Sequence, residues 1–213
     1  MQNRNNNKKN GYTIIETMIS ISLFIVIVMT GMGALLNANL IHQKSQDMRS
    51  IMDNLNFIME DMSKNLRTGY NYRCYTGGSI TDIIDDSNIS STRSCNSGGW
   101  GIAFEHQNGR LYVNPPTDKS YYNDDQWAYY VSGGKIFKST KGGKSGSFIQ
   151  LTPDEVSITN TSLFSVLGAE PPPGNSQQPF VTIKLIGQID LKGIKTPFSL
   201  QTSVSQRRID IGS

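Results

Sequence analysis

Glu16 is the first residue that asks for a chemical explanation, because the run from Ile14 to Leu36 carries no other charge. A carboxylate in hydrocarbon costs several kcal/mol unless it finds a partner, so either this run does not span a membrane or Glu16 serves a purpose there. The other reactive residue types give less. Cys74 and Cys95 are the two cysteines and His42 and His106 the two histidines, and their separation offers no zinc-ligand spacing. Gly143-Lys144-Ser145 resembles the end of a phosphate-binding loop, but Lys138 stands where the first glycine is required. Strand-like "SFIQL" then follows in place of a helix, so the stretch reads as a glycine-rich turn. No G-x-S-x-G or H-E-x-x-H occurs, and neither histidine sits in a base motif. Asp82, Asp85 and Asp86, and again Asp118, Asp124 and Asp125, carry oxygens of the kind calcium takes. Neither group has EF-hand spacing, and a solvated loop is the plainer reading. No catalytic residue, metal site or cofactor is expected, and the chain is read as a non-enzyme.

The composition leaves room for one domain with a core and one extra element: 213 residues, 37% hydrophobic and 9% aromatic. The formal charge of +3 does not point to nucleic acid. Setting Arg4, Lys8 and Lys9 aside from 20 Lys and Arg leaves 17, equal to the 17 Asp and Glu, so the excess belongs to the first residues alone. At about 1.5 Å per residue, Ile14 to Leu36 covers a hydrocarbon layer of roughly 30 Å. The flank before it is purely basic, whereas Lys44 and Arg49 after it are mixed with Asp47 and Asp53. The positive-inside rule therefore places the N-terminus in the cytoplasm and everything past Leu36 outside. There, in an oxidising compartment, an even pair of cysteines favours a Cys74–Cys95 disulfide over two buried free thiols.

Beyond the apolar run the helical pattern continues. Met48, Ile51, Met52, Leu55, Ile58, Met59, Met62 and Leu66 recur at spacings of three and four, an apolar stripe meant for a core, with Gln46, Asn54, Asp61 and Asn65 expected on other faces. Gly69 is a natural stop. A helix from about Thr13 to Arg67 would be roughly 80 Å long. The period then changes to that of strands. "WGIAFEHQNGRLYV" reads as a hairpin over Asn108-Gly109, and "QWAYYVSGGKIFKS" as another over Gly133-Gly134. "SLFSVL", "FVTIKLIGQIDL" and "FSLQTSVS" follow as strands, with "EPPPGNSQQP" as an exposed loop. The expected fold class is α+β: a long N-terminal helix packed on a C-terminal antiparallel sheet.

An ordinary secretory signal places its small residue after the apolar region. Here Gly11 precedes it, and "KNGYTIIETMISISLF" resembles the class III signal of type IV pilins and type II secretion pseudopilins. The resemblance implies cleavage between Gly11 and Tyr12 by a prepilin peptidase, N-methylation of Tyr12, and a filament-assembly role for Glu16, the fifth residue counted from Tyr12. In that family the glutamate is thought to pair with the terminal ammonium of a neighbouring subunit, a buried pair in which each ion offsets the other's desolvation. The alternative is that Glu16 merely snorkels to the interface. Tyr12 departs from the usual phenylalanine, and "TGMG" stands where many major pilins carry a proline. Gly31 and Gly33 there either loosen the helix or let helices pack closely. The layout is similar to the larger minor subunits, the J-type pseudopilins and PilW-like pilins.

The implied organisation is a cleaved leader (1–11), a helix (12–69) with a membrane span at about 14–36, and an extracytoplasmic β-rich head (70–213). The implied function is that of a minor pilin or pseudopilin, which primes or caps a type IV pilus or type II secretion filament. Its partners would be the prepilin peptidase, other major and minor subunits, the inner-membrane assembly platform and, before assembly, membrane lipid. It would sit in the cytoplasmic membrane and then in a filament in the periplasm or at the cell surface. The competing reading is an uncleaved, single-pass, membrane-anchored binding or sensor domain.

Overall fold

The computed structural model describes residues 11–80, 83, 92–107, 126–142, 146–170, 173 and 175–207. Outside them lie the leader as far as Asn10, the Asn108-Gly109 turn with the strand expected after it, both aspartate groups, Gly143-Lys144-Ser145, and Pro171 and Pro172. The chain divides into two units, Met1–Asp47 and Met48–Ser213. Helix α1, Ile14–Thr68, supplies residues to both.

In the first unit every side chain from Ile14 to Leu36 is exposed, apart from half-buried Val28. A helix apolar on all sides cannot remain so in water and calls for lipid or other helices. This one is long and apolar enough to cross a membrane. Its hydroxyls are satisfied within the helix, as a hydrocarbon environment demands. Thr17 Oγ1 donates to the Ile14 carbonyl (2.8 Å), Ser20 to Glu16 (2.8 Å), Ser22 to Met18 (2.8 Å), and Thr30 to Val26 (3.0 Å) and Ile27 (2.9 Å).

In the second unit α1 buries Ile51, Leu55, Ile58, Met59, Met62 and Leu66, with Met48 and Met52 half-buried beside them, the stripe its spacing predicts. Two polar residues do not take the solvent face expected of them. Asn65 is buried and Asp61 half-buried. Each lies three residues beyond a core position, Met62 and Ile58, which puts both on the flank of the stripe. There they are satisfied: Asn65 Nδ2 donates to Asp61 Oδ1 (3.0 Å) and to the Tyr129 hydroxyl (2.9 Å), which itself donates to Asp61 Oδ2 (3.2 Å). Lys138 Nζ reaches the same carboxylate oxygen at 2.8 Å and lies 4.6 Å over the Trp127 ring. Burial, reinforced by the Asp61 charge, pushes the Tyr129 phenol far above its ordinary value, so it stays a donor.

The helix ends because Gly69 N–H closes the last turn on Asn65 O (2.9 Å), while the buried Tyr72 hydroxyl donates to the carbonyls of Leu66 and Gly69. A Cβ at Gly69 would run into the Phe104 ring, so the stop is also a packing requirement.

The strands are β1 Tyr70–Tyr75, β2 Cys95–Gly99, β3 Gly101–Glu105, β4 Gln126–Ser132, β5 Lys135–Ser139, β6 Ile149–Gln150, β7 Val156–Ile158, β8 Phe164–Leu167, β9 Phe180–Leu191 and β10 Ile194–Ser205. One sheet was expected; among the described residues two are formed, each of five strands: β1-β3-β4-β5-β6, and β10-β9-β8-β2 with β7 also on β9. The second exists because β9 is long enough to carry β10 along one side and both β8 and β7 in succession along the other. The β4–β5 hairpin turns at Gly133-Gly134, with φ of 57° and 75°, the left-handed values a two-residue turn needs. β3 instead has both edges occupied, by β1 and by β4, and its expected hairpin partner lies outside the described residues.

Cys74 and Cys95 are joined in a buried disulfide with a Cα–Cα distance of 5.9 Å, fastening β1 of the first sheet to β2 of the second. Their separation of 21 residues predicts that replacing both by serine lowers stability by about 3 kcal/mol. Urea unfolding of the two forms measures this. Beside the bridge, Glu170 accepts the Ser94 N–H (2.7 Å) and hydroxyl (2.5 Å). Burial alone would raise the Glu170 carboxyl, but these bonds outweigh it and hold the group below its ordinary value of 4.5. A carboxyl lowered on folding adds stability above its unfolded pKa and loses it as pH falls through the folded one. Stability should therefore decline below about pH 4.5, and decline less steeply in Glu170→Gln, as thermal unfolding across pH 3–6 will read.

Candidate assembly site at the start of the helix

Tyr12 is 83% exposed, and Gly11 beside it has open space around the position a Cβ would occupy. Thr13 is the residue before the first helical turn and caps it. Its carbonyl accepts the N–H of Glu16 (3.1 Å) and of Thr17 (3.2 Å), and its Oγ1 accepts Glu16 N–H at 3.4 Å. Thr13 and Glu16 thus stand in the T-x-x-E spacing of a capping box, of which the threonine half is made. The spacing is legible in the sequence, as Thr13-Ile14-Ile15-Glu16. The negative charge also lies in the first turn, where the helix dipole favours it.

The Glu16 carboxylate is exposed and has no side-chain partner among the described residues. It is therefore the one ionisable group of the apolar run Ile14 to Leu36, whose hydroxyls are already satisfied. Gly11 and Tyr12 lie just before the helix and Glu16 in its first turn, close together in sequence, whereas Cys74 and Cys95 belong to the other unit and serve its architecture.

Among the described residues, the remaining titratable groups form no second cluster. His42 exchanges a hydrogen bond with Gln46 (2.9 Å), and the His106 ring stacks on Trp127 at 4.2 Å. No cluster of metal-ligating side chains occurs among the described residues. Sequence reasoning also missed Lys135, whose ammonium donates to the carbonyls of Pro153 (3.1 Å), Asp154 (2.9 Å) and Val156 (2.6 Å). Nothing in its local spacing announces that role.

Fold and site together define the class coarsely: an α+β chain in which one long apolar N-terminal helix, able to cross a membrane, precedes antiparallel sheets. No family model, no curated protein and no solved structure matches the chain.

Proposed function

We propose that this chain is a minor pilin or pseudopilin, a non-enzymatic subunit that enters the cytoplasmic membrane with its N-terminus inside. On this reading a prepilin peptidase trims it after Gly11, Tyr12 is N-methylated, and an inner-membrane assembly platform passes it with other subunits into a type IV pilus or type II secretion filament. The observation that carries the reading is Glu16: a lone carboxylate in the first turn of an apolar helix, with no partner among the described residues, four positions past Tyr12. Trimming creates the missing partner, because the new α-ammonium at Tyr12 of a neighbouring chain is a cation without a hydration shell once helices bundle. A buried pair of that kind works as a register key, since either ion alone is costly to bury.

The head of such a subunit suits the end of a filament better than its shaft, where every copy must stack on the next. The decisive experiment is the mass and N-terminal sequence of the protein extracted from membranes. A chain beginning at methylated Tyr12 supports the proposal. A chain retaining residues 1–11 overturns it in favour of an uncleaved anchor carrying an extracytoplasmic binding domain.

A further inference from the structure

Four segments of the second unit meet at one place: Thr68 closes α1, Tyr70 opens β1, and Gln107 and Arg207 stand two residues beyond the ends of β3 and β10. Together they line a cavity of about 380 Å³. Arg207 is carried there by its backbone. Gln206 N–H donates to Pro179 O (3.0 Å), prolonging the β9–β10 ladder, and Arg207 N–H then donates to Arg67 O (2.8 Å) at the end of the helix.

A helix C-terminus ordinarily repels anions, because its last carbonyls point outward unpaired. Here they are occupied. Lys64 O and Asn65 O share the Thr68 hydroxyl (3.1 and 3.3 Å), and Asn65 O also accepts Gly69 N–H (2.9 Å). Leu66 O accepts the Tyr72 hydroxyl, and Arg67 O accepts Arg207 N–H. Arg207 is then the one charged residue among the four that line the cavity. Glu105, which pairs with Tyr70 across the β1–β3 ladder, is buried and is not one of them.

The side chains make unlike demands on a ligand. Arg207, exposed at the rim, offers donors only, in a planar fork that fits a carboxylate. Thr68 offers an acceptor only, because its single hydroxyl hydrogen is already shared between two helix carbonyls. Gln107, also exposed, offers both. A bare oxyanion would satisfy Arg207 but set its lone pairs against those of Thr68, which disfavours phosphate, a simple carboxylate or an acidic side chain of another protein. A ligand with a carboxylate and hydroxyls of its own satisfies all three residues. The volume lies toward the lower end of the range for small-molecule sites, roughly 300–1,000 Å³, and suits a single ring better than a nucleotide.

We propose that this cavity binds a carboxylate-bearing sugar or a similar polyhydroxy acid, with Arg207 on the carboxylate and Thr68 and Gln107 on the hydroxyls. The site does not depend on filament assembly. Gly11, Tyr12 and Glu16 take no part in it, and an uncleaved anchor would carry it equally.

The test titrates the full chain, solubilised in detergent, with glucuronate, glucose and acetate, and follows its backbone amide resonances. Glucuronate is expected to shift Thr68, Tyr70, Gln107 and Arg207 together and to half-saturate at a concentration about tenfold below that of either other compound. Arg207→Gln retains the backbone bond to Arg67 and with it the melting temperature, but its preference for glucuronate over glucose should vanish. Thr68→Val should bring glucuronate to the level of acetate. If either variant fails to fold, the three compounds on the wild-type chain decide alone. The site is overturned if glucuronate shifts none of the four amides, or binds no more tightly than acetate or glucose. Wild-type affinity for glucuronate in a folded Arg207→Gln overturns the assignment of the carboxylate.

Discussion

Gly11→Val is expected to accumulate in the membrane as the full-length precursor, with residues 1–11 still attached and no methylated Tyr12. The argument is local. The segment that should meet the peptidase lies just outside an apolar helix, where backbone must enter a catalytic cleft, and a β-branched side chain stiffens and widens it. Nothing in the fold objects to the valine, because a Cβ at Gly11 meets no atom within 4 Å. A processing defect would therefore not be a folding defect in disguise. Anti-head immunoblotting and intact mass read the result directly, and normal trimming of the variant would sink the assignment of the cleavage site.

Glu16→Ala should be trimmed and inserted like the wild type but excluded from filaments, by on the order of a hundredfold if the lost interaction is a buried ion pair at about 3 kcal/mol or more. The chain itself loses little. Glu16 is exposed, alanine is the best helix former, and the Thr13 bonds to the backbone N–H of residues 16 and 17 do not involve the deleted side chain. Glu16→Gln separates charge from shape: it keeps hydrogen-bonding capacity near the cap, but it should fail in filaments as the alanine variant does. The fraction of the protein in sheared filaments, against that left in membranes, is the measurement. Unchanged recruitment would leave Glu16 as a carboxylate snorkelling to the interface.

Much of this architecture was legible in one dimension. The run from Ile14 to Leu36, with Glu16 its only charge, and the stripe from Met48 to Leu66 each report a side-chain environment, and the helical period states it without reference to any distant residue. Gly133-Gly134 announced its hairpin because a two-residue turn is a local conformational demand. Gly11 and Glu16 stand out by the order of small residue, apolar run and charge, and the Thr13 cap lies in the same short window.

What needed the tertiary structure was every choice of partner. Asp61 and Asn65 look like surface residues until Tyr129 and Lys138 arrive from β4 and β5 to satisfy them. The aromatic and β-branched run of β3 gives no hint that both its edges go to β1 and β4, nor do the strand patterns say that they sort into two sheets. A strand's alternation records which face is buried, whereas its neighbours are chosen by which backbone edges remain open once the rest of the chain has packed. β10 shows the division within one element: its inward and outward faces were written in its sequence, and its pairing with β9, the one neighbour it has among the described strands, was decided by the fold.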